Sequence, residues 1–195
     1  MNRPVAVAIT GGIGSGKSEA LRAFARHGAA VVSSDEIVHH LLRREDVKER
    51  VVERMGNGVV APDGEIDRQA LATTVFNDRD ALRWLEELLH PLVAAEYLKW
   101  RDDLARLDNA PGVCVTEVPL LYEVGGEARF DKVVLITAPT KLRRARSAIA
   151  IDEREMRFIP DSEKMKRADY SYKNLGSLED LDAFVESVMR ELQPA

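Results

Sequence analysis

The chain has 195 residues, of which 28 are Lys or Arg and 33 are Asp or Glu, so its formal net charge is −5. A hydrophobic fraction of 45% is too high for a disordered chain, and no apolar run approaches the roughly 18 to 20 residues that span a bilayer. The mildly acidic balance gives no support to nucleic-acid binding. The single cysteine, Cys114, excludes an intrachain disulfide and a four-cysteine zinc site, and it favours a cytoplasmic protein.

The start of the chain predicts a strand, a glycine-rich loop, a helix and a second strand. Residues 5–9 are almost wholly apolar, as in a strand buried on both faces of a parallel sheet. Residues 11–18 form the loop, and apolar residues at helical spacing then lead to Gly28, a residue that suits a helix end. Residues 29–32 are the second strand. This βαβ order is typical of α/β folds.

The middle of the chain predicts mainly helices. A helix is predicted over residues 46–55, and Asp67 is a suitable N-cap for another. Leucines repeat from residue 78 to about 107 at spacings that predict a long helix, which Pro91 could bend. We expect this helical section, residues 45–108, to form a partly separate lobe.

The last part of the chain returns to strands. The predicted strands and a closing amphipathic helix lie at residues 113–118, 132–137, 169–173 and 178–192. Residues 141–167 are predicted to be helical and are rich in Arg and Lys. We therefore predict one α/β domain over residues 1–195, with three α/β/α layers around a five-stranded parallel sheet. The arginine-rich section, residues 139–167, would be a lid.

The residues GGIGSGKS (11–18) match the phosphate-binding P-loop pattern G-x-x-x-x-G-K-[ST]. Glycines let successive backbone N–H groups point at phosphate oxygens, and the following helix adds the positive end of its dipole. The lysine would place its charge between the β- and γ-phosphates, and the serine hydroxyl would reach Mg²⁺. We therefore predict a site for ATP and Mg²⁺. Its predicted residues are Gly12, Ile13, Gly14, Ser15, Gly16, Lys17 and Ser18.

Other features narrow the class of P-loop protein. The sequence contains neither the Asn-Lys-x-Asp motif of GTPases nor the Leu-Ser-Gly-Gly-Gln signature of ABC-type ATPases. It contains an arginine-rich segment instead, and small-molecule kinases close such a lid over the transferred phosphoryl group. A solvated helix face is the other interpretation of any single arginine. The basic residues concerned are Arg143, Arg144, Arg146, Arg154, Arg157 and Lys164.

Two acidic residues lie at or just beyond the ends of predicted strands. Asp35 follows the second strand, where ligands of open α/β sheets bind, and it could orient or deprotonate an attacking hydroxyl. It could equally cap the helix that follows. Glu117 ends an apolar run, where a Walker-B-type acid would hold Mg²⁺. Its other interpretation is an exposed acid at a strand end.

These motifs together resemble the dephospho-CoA kinase family, whose members phosphorylate the ribose 3′-hydroxyl of dephospho-CoA. The similarity extends over nearly the whole chain. It is carried by ITGGIGSGKS (9–18), DGEIDR (63–68), His90-Pro91 and VPLLYE (118–123). Ala168-Asp169 and the following Asn174-x-Gly176-Ser177 are similar to the adenine-side motif of that family.

The resemblance implies a P-loop kinase that transfers a phosphoryl group from ATP to an alcohol, with dephospho-CoA as its small-molecule substrate. It implies catalytic roles for Asp35, Lys17 and Arg144, and it places Asn174 on the ATP side. The implied substrate-binding residues are Asp35, Arg68, His90, Pro119 and Leu120, and the implied metal site is Ser18 with Glu117. His90 also has a structural interpretation, because it precedes a proline within a helix. No membrane partner is predicted, and the sequence defines no oligomeric state.

The chain departs from the family pattern in two places. His39 stands where the family commonly has an arginine. In the lid, Lys141 replaces a glutamine and Ala148 replaces a further arginine, for which Arg143 or Arg146 could substitute. Two alternatives therefore stay open. One is a P-loop kinase for a nucleoside or nucleotide, and the other is a catalytically weak ATP-binding regulator.

Overall fold

The computed structural model describes residues 3–146 and 159–193. Its centre is one sheet of five parallel strands in the order β2-β3-β1-β4-β5. The strands are β1 (Val5–Thr10), β2 (Ala30–Ser33), β3 (Val113–Glu117), β4 (Lys132–Thr137) and β5 (Tyr170–Lys173). The predicted five-stranded parallel sheet is confirmed.

Helices lie between β1 and β2, between β2 and β3, between β4 and β5, and after β5, as is usual where parallel strands need long connections. They are α1 (Lys17–Arg26), α2 (Ser34–Leu41), α3 (Glu45–Met55), α4 (Arg68–Asn77), α5 (Arg79–Ala105), α6 (Thr140–Arg146), α7 (Asp161–Arg167) and α8 (Leu178–Leu192). Helix α5 continues through Pro91. Within the described residues, no helix has the length and apolar character needed to cross a membrane.

The central strand is covered on both faces, which explains its unbroken apolar sequence. Val7 and Ile9 of β1 belong to a core with Phe24 of α1 and with residues of α8 such as Val185. Ala8 lies between them in sequence, so its side chain points to the other face, where it packs with Leu121, Tyr122 and Val133. The sheet therefore forms the middle layer of an α/β fold.

The chain divides into two compact units, Met1–Ser33 with Trp100–Ala195, and Ser34–Lys99. The first unit contains the sheet. The second is built on buried apolar residues of its helices, such as Val51 and Leu71. Asp67 caps α4 as predicted, because its Oδ1 accepts the N–H groups of Gln69 and Ala70 at 2.9 and 3.1 Å.

The prediction that residues 141–167 are helical is wrong at Ile159 and Pro160, which are not helical. The described residues on either side of them form α6, Thr140–Arg146, and α7, Asp161–Arg167. A proline lacks the N–H that continues a helix, and it disfavours helical geometry in the residue before it. Three residues named for the lid, Ala148, Arg154 and Arg157, lie outside the described residues.

Two aspartates bind the strand starts at the amino edge of the sheet. Asp131 Oδ2 accepts the N–H of Ala6, and Asp169 Oδ2 accepts the N–H of Val133, both at 2.8 Å. Lys132 Nζ donates to Asp169 Oδ1 at 2.9 Å. Partial burial opposes ionisation of Asp169, but the hydrogen bonds from Lys132 and Val133 outweigh it, so the pKa of this carboxyl lies below its usual value.

The lowered pKa of Asp169 predicts how stability depends on pH. Asp169→Asn keeps an acceptor for Val133 but removes the charge beside Lys132. We therefore expect the free energy of unfolding at pH 7 to fall by roughly 0.5 kcal/mol, a small value because the ion pair is partly exposed to solvent. A carboxyl whose pKa is lower in the folded state than in the unfolded state stabilises the fold at pH values above its unfolded-state pKa, about 3.9. This contribution disappears as the pH falls through the folded-state pKa. Urea unfolding at pH 7 and pH 3 measures the difference.

The same measurement on Asp108→Asn, which changes an exposed aspartate in a turn, is the control. We expect no change in the free energy of unfolding at either pH. A deficit of Asp169→Asn that stays the same at pH 3 would contradict the electrostatic origin.

Candidate active site

The P-loop joins the end of β1 to the start of α1. Gly14 and Gly16 have φ values of 72° and 103°, in the left-handed region that favours glycine. Gly16 occupies the N-cap position and has no side chain that could bond the first N–H groups of α1. Those groups and the helix dipole therefore offer a site to an anion.

Two polar side chains are buried inside this loop. Lys17, the first residue of α1, is 8% exposed, and its Nζ donates to the carbonyl oxygen of Gly12 at 3.0 Å. The hydroxyl of Ser15 is fully buried and has no hydrogen-bond partner in the part of the chain that the structure describes. An unsatisfied buried hydroxyl has a cost that a ligand oxygen would remove. Both side chains fit a bound phosphate.

Ser18 and Glu117, which the sequence predicts as metal ligands, lie together. Ser18 Oγ is 3.4 Å from Glu117 Oε1, and Glu117 is 4% exposed. Glu117 ends β3, where it is in register with Ile9 of β1 and Ser33 of β2. Hydroxyl and carboxylate oxygens are ligands that Mg²⁺ accepts. The donor set therefore fits a magnesium ion bound together with phosphates.

Asn174, predicted on the ATP side, holds the P-loop directly. It follows β5, and its Nδ2 donates to the carbonyl oxygen of Ser15 at 2.9 Å, while its Oδ1 accepts the N–H of Gly176 at 3.0 Å. A Cβ at Gly16 would collide with this amide. The sequence gives no signal for this contact, because it joins two segments at opposite ends of the chain.

The start of the predicted lid packs on the same loop. A Cβ at Gly14 would lie 2.7 Å from the backbone oxygen of Arg143, and the side chain of Arg143 is buried. Arg144 is exposed beside it. A guanidinium nitrogen of Arg146 lies 3.5 Å from where a Cβ at Gly176 would be. Helix α6 therefore brings three arginines to the P-loop end of the first unit.

Pro119 and Leu120, predicted to bind the acceptor, follow β3 and are partly buried. The Thr10 hydroxyl donates to the Pro119 carbonyl oxygen at 3.2 Å, and the Val118 N–H donates to the Ile9 carbonyl oxygen at 2.9 Å. These bonds hold the segment beside the strand that leads into the P-loop.

The second unit contains the other predicted substrate residues. Arg68, the first residue of α4, contacts the imidazole of His39, the residue that stands in the place of an arginine in the resembled family. Both line a cavity of about 260 Å³. The other lining residues are Leu42, Arg43, Ala61, Asp63, Glu65 and Ile66. His39 is recognisable in the sequence as a departure from the family pattern, but its contact with Arg68 is visible only in the structure.

Asp35 and His90 also belong to the second unit, but they do not line this cavity. Asp35 lies in the first turn of α2, two residues beyond the end of β2, and His90 is exposed on α5. Cys114 is buried in β3, where burial raises the pKa of its thiol to about 11, so it is a core residue as predicted.

The fold and this site define a P-loop nucleotide-binding protein. A dephospho-CoA kinase family model matches residues 5–180. The dephospho-CoA kinase of Symbiobacterium thermophilum is 42% identical over 193 residues, which cover 94% of this chain and 80% of that protein. This chain belongs to the dephospho-CoA kinase family, so it is a kinase that transfers a phosphoryl group to an alcohol.

Solved structures agree. TT1252 from Thermus thermophilus is 35% identical with a TM-score of 0.77, over 98% of this chain and all of that one. Dephospho-CoA kinase from Campylobacter jejuni is 25% identical with a TM-score of 0.70, and the match covers 100% of both chains. The predicted fold class and family are therefore confirmed.

The close packing at Gly14 predicts that a methyl group there weakens ATP binding. Gly14→Ala combines a Cβ 2.7 Å from the Arg143 oxygen with a left-handed backbone, and that backbone alone costs about 1–2 kcal/mol for a residue with a side chain. We expect ATP affinity to fall by at least about tenfold, as isothermal titration calorimetry would measure.

Gly58→Ala is the matched control, because nothing lies within 4 Å of the new Cβ. It should leave ATP affinity unchanged. Wild-type affinity in Gly14→Ala would show that α6 does not restrain the loop.

Proposed function

We propose that this chain transfers the γ-phosphoryl group of ATP to the ribose 3′-hydroxyl of dephospho-CoA, the last step of coenzyme A synthesis. The observation that carries the proposal is the P-loop with buried Lys17 and Ser15, in a chain whose match to this kinase family extends over residues 5–180. We assign the reaction to the cytoplasm, in keeping with the single cysteine.

The P-loop would hold the phosphates of ATP. Its backbone N–H groups face anionic oxygens, and Lys17 would exchange its bond to Gly12 for the β- and γ-phosphates. The cradle consists of Gly12, Ile13, Gly14, Ser15 and Gly16. Asn174, which we also assign to the ATP side, holds the backbone of the cradle through its bond to Ser15. Since phosphoryl transfer depends mainly on positioning and electrostatic stabilisation, a rigid cradle favours it.

Ser18 and Glu117 are the residues that would hold Mg²⁺. The ion would neutralise charge on the β- and γ-phosphate oxygens. The buried position of Glu117 and its 3.4 Å separation from Ser18 support this assignment.

The remaining assignments concern the acceptor and the transferred phosphoryl group. We propose that Asp35 orients the 3′-hydroxyl or accepts its proton, with Arg68, His90, Pro119 and Leu120 binding other parts of dephospho-CoA. Arg144, exposed on α6, would stabilise charge on the transferred phosphoryl group.

One observation favours a second candidate. His39 takes the place of the family's arginine and contacts Arg68 in the cavity of the second unit. A histidine in place of an arginine changes the donors beside Arg68, and such a change at an acceptor site could select a nucleoside or nucleotide, such as adenosine or AMP, instead of dephospho-CoA.

An acceptor assay decides between the candidates. The purified protein with Mg-ATP would be offered dephospho-CoA, adenosine, AMP or no acceptor, and ADP and phosphorylated products would be quantified. We expect CoA to form well above the rate without acceptor. Turnover with adenosine or AMP alone would favour the second candidate, and tight ATP binding without any turnover would favour the regulator.

We predict that Asp35→Asn lowers kcat by about 10²- to 10⁴-fold, the usual contribution of general acid–base catalysis, without changing ATP affinity. Glu36→Gln is the matched control, since Glu36 is the next residue of α2 and is exposed like Asp35. It should retain wild-type kcat. If Asp35→Asn turns over at the wild-type rate, Asp35 is not catalytic.

We predict that Glu117→Gln raises the Mg²⁺ concentration for half-maximal activity by about tenfold or more, as loss of an oriented ligand does. Saturating Mg²⁺ should recover part of the rate. Glu163→Gln, which changes an exposed carboxylate on α7, should keep the wild-type magnesium dependence. An unchanged dependence in Glu117→Gln would remove Glu117 from the metal site.

A further inference from the structure

A buried ion pair joins the segment after β3 to helix α7. Lys164 Nζ lies 2.7 Å from Glu123 Oε1, and the side chain of Lys164 is only 1% exposed. The same carboxylate oxygen accepts the N–H of Ile159 at 3.1 Å. Buried charges of this kind lose hydration, and they are kept when geometry supplies their partners.

A second set of contacts reinforces the junction. Arg167, the last residue of α7, forms an ion pair with Glu127, and its guanidinium lies 4.3 Å from the ring centre of Tyr122. Since Ile159 precedes α7 and Lys164 lies in its last turn, the helix is attached at both ends to the chain that follows β3. That chain is thereby fixed at Tyr122, Glu123 and Glu127.

The other end of this segment is fixed at the end of β1, which leads into the P-loop. The Val118 N–H donates to the Ile9 carbonyl oxygen, and the Pro119 carbonyl oxygen accepts from the Thr10 hydroxyl; Ile9 and Thr10 are the last residues of β1. Residues 119–120 therefore lie between two anchors, one on β1 and one on α7.

We propose that Glu123 and Lys164 are positioning residues that set the acceptor-side segment, residues 118–123, relative to the phosphates. This inference rests on the proposed function, in which Pro119 and Leu120 bind dephospho-CoA. Weakening the anchor on α7 lets the segment shift, and a misplacement of about 1 Å can lower the rate by on the order of 10². ATP binding is affected less, because the P-loop has its own supports at Asn174 and Arg143.

The test uses two single variants and their combination. Glu123→Gln keeps an acceptor for Ile159 but removes the negative charge, and Lys164→Met removes the positive charge at similar size. We expect each to lower kcat/KM for dephospho-CoA by about tenfold to a hundredfold, with the Kd for ATP unchanged. Lys164→Arg, which keeps the charge, should retain more activity than Lys164→Met.

The combined variant separates positioning from simple stability. It removes both charges of the pair, so its melting temperature should return toward the wild-type value, while kcat/KM for dephospho-CoA stays low. Recovery of both quantities would overturn the proposal, as would an equal loss of ATP affinity. If the single variants do not fold, the combined variant gives the answer alone.

The matched control is Lys132→Met, which breaks another lysine–carboxylate pair in the same unit, Lys132–Asp169, at the amino edge of the sheet. It should leave kcat/KM unchanged. If the wild-type protein phosphorylates another acceptor instead, the proposed function fails. Measuring kcat/KM of the Glu123 and Lys164 variants with that acceptor then tests the positioning role independently.

Discussion

The packing around the P-loop backbone is the constraint on which the rest of the site depends. At Gly14 and Gly16 the chain adopts left-handed geometry, and the places where side chains would begin are taken by the backbone of Arg143 and the amide of Asn174. At Gly58, by contrast, nothing lies within 4 Å of where a Cβ would be. The phosphate cradle is thus shaped from outside, by elements far away in sequence. Its rigidity supplies the positioning that phosphoryl transfer needs.

The amino and carboxyl edges of the parallel sheet, where the strands begin and end, carry polar residues with different roles. At the amino edge, Asp131 and Asp169 bond strand N–H groups and basic side chains, so their charges are used for stability. At the carboxyl edge, Glu117 and Asn174 lie beside the P-loop. Ligands of open α/β sheets gather at that second edge, where loops and helix N-termini meet. Asp169 and Asn174 belong to one sequence motif, yet they serve opposite edges.

The sequence predicted those features that depend on residues close together in the chain, such as strands, the P-loop and a helix cap. The strands were recognisable because they are buried on both faces and are therefore nearly continuous in apolar residues. The cradle from Gly12 to Ser18 was recognisable because glycines and a lysine in this pattern bind phosphate. The capping of α4 by Asp67 was likewise a local matter. The helical prediction for residues 141–167 fails at Pro160, because a proline lacks the N–H that continues a helix.

Contacts between distant segments were beyond sequence reasoning. Nothing in the pattern around Lys164 distinguishes a buried lysine from a solvated one, because its partner, Glu123, is set by tertiary packing. The same holds for the amide of Asn174 on Ser15 and for the contact of His39 with Arg68. These contacts refine the site, whereas the motif alone indicated its chemistry.

The position of the new phosphate on the acceptor tests the central claim most directly. After reaction of dephospho-CoA with Mg-ATP, ³¹P NMR of the purified product would show where the phosphoryl group was added. The account predicts one phosphomonoester on the ribose 3′-oxygen, formed in equal amount to ADP. A phosphate on any other oxygen, or ADP formed without a phosphorylated acceptor, would contradict it.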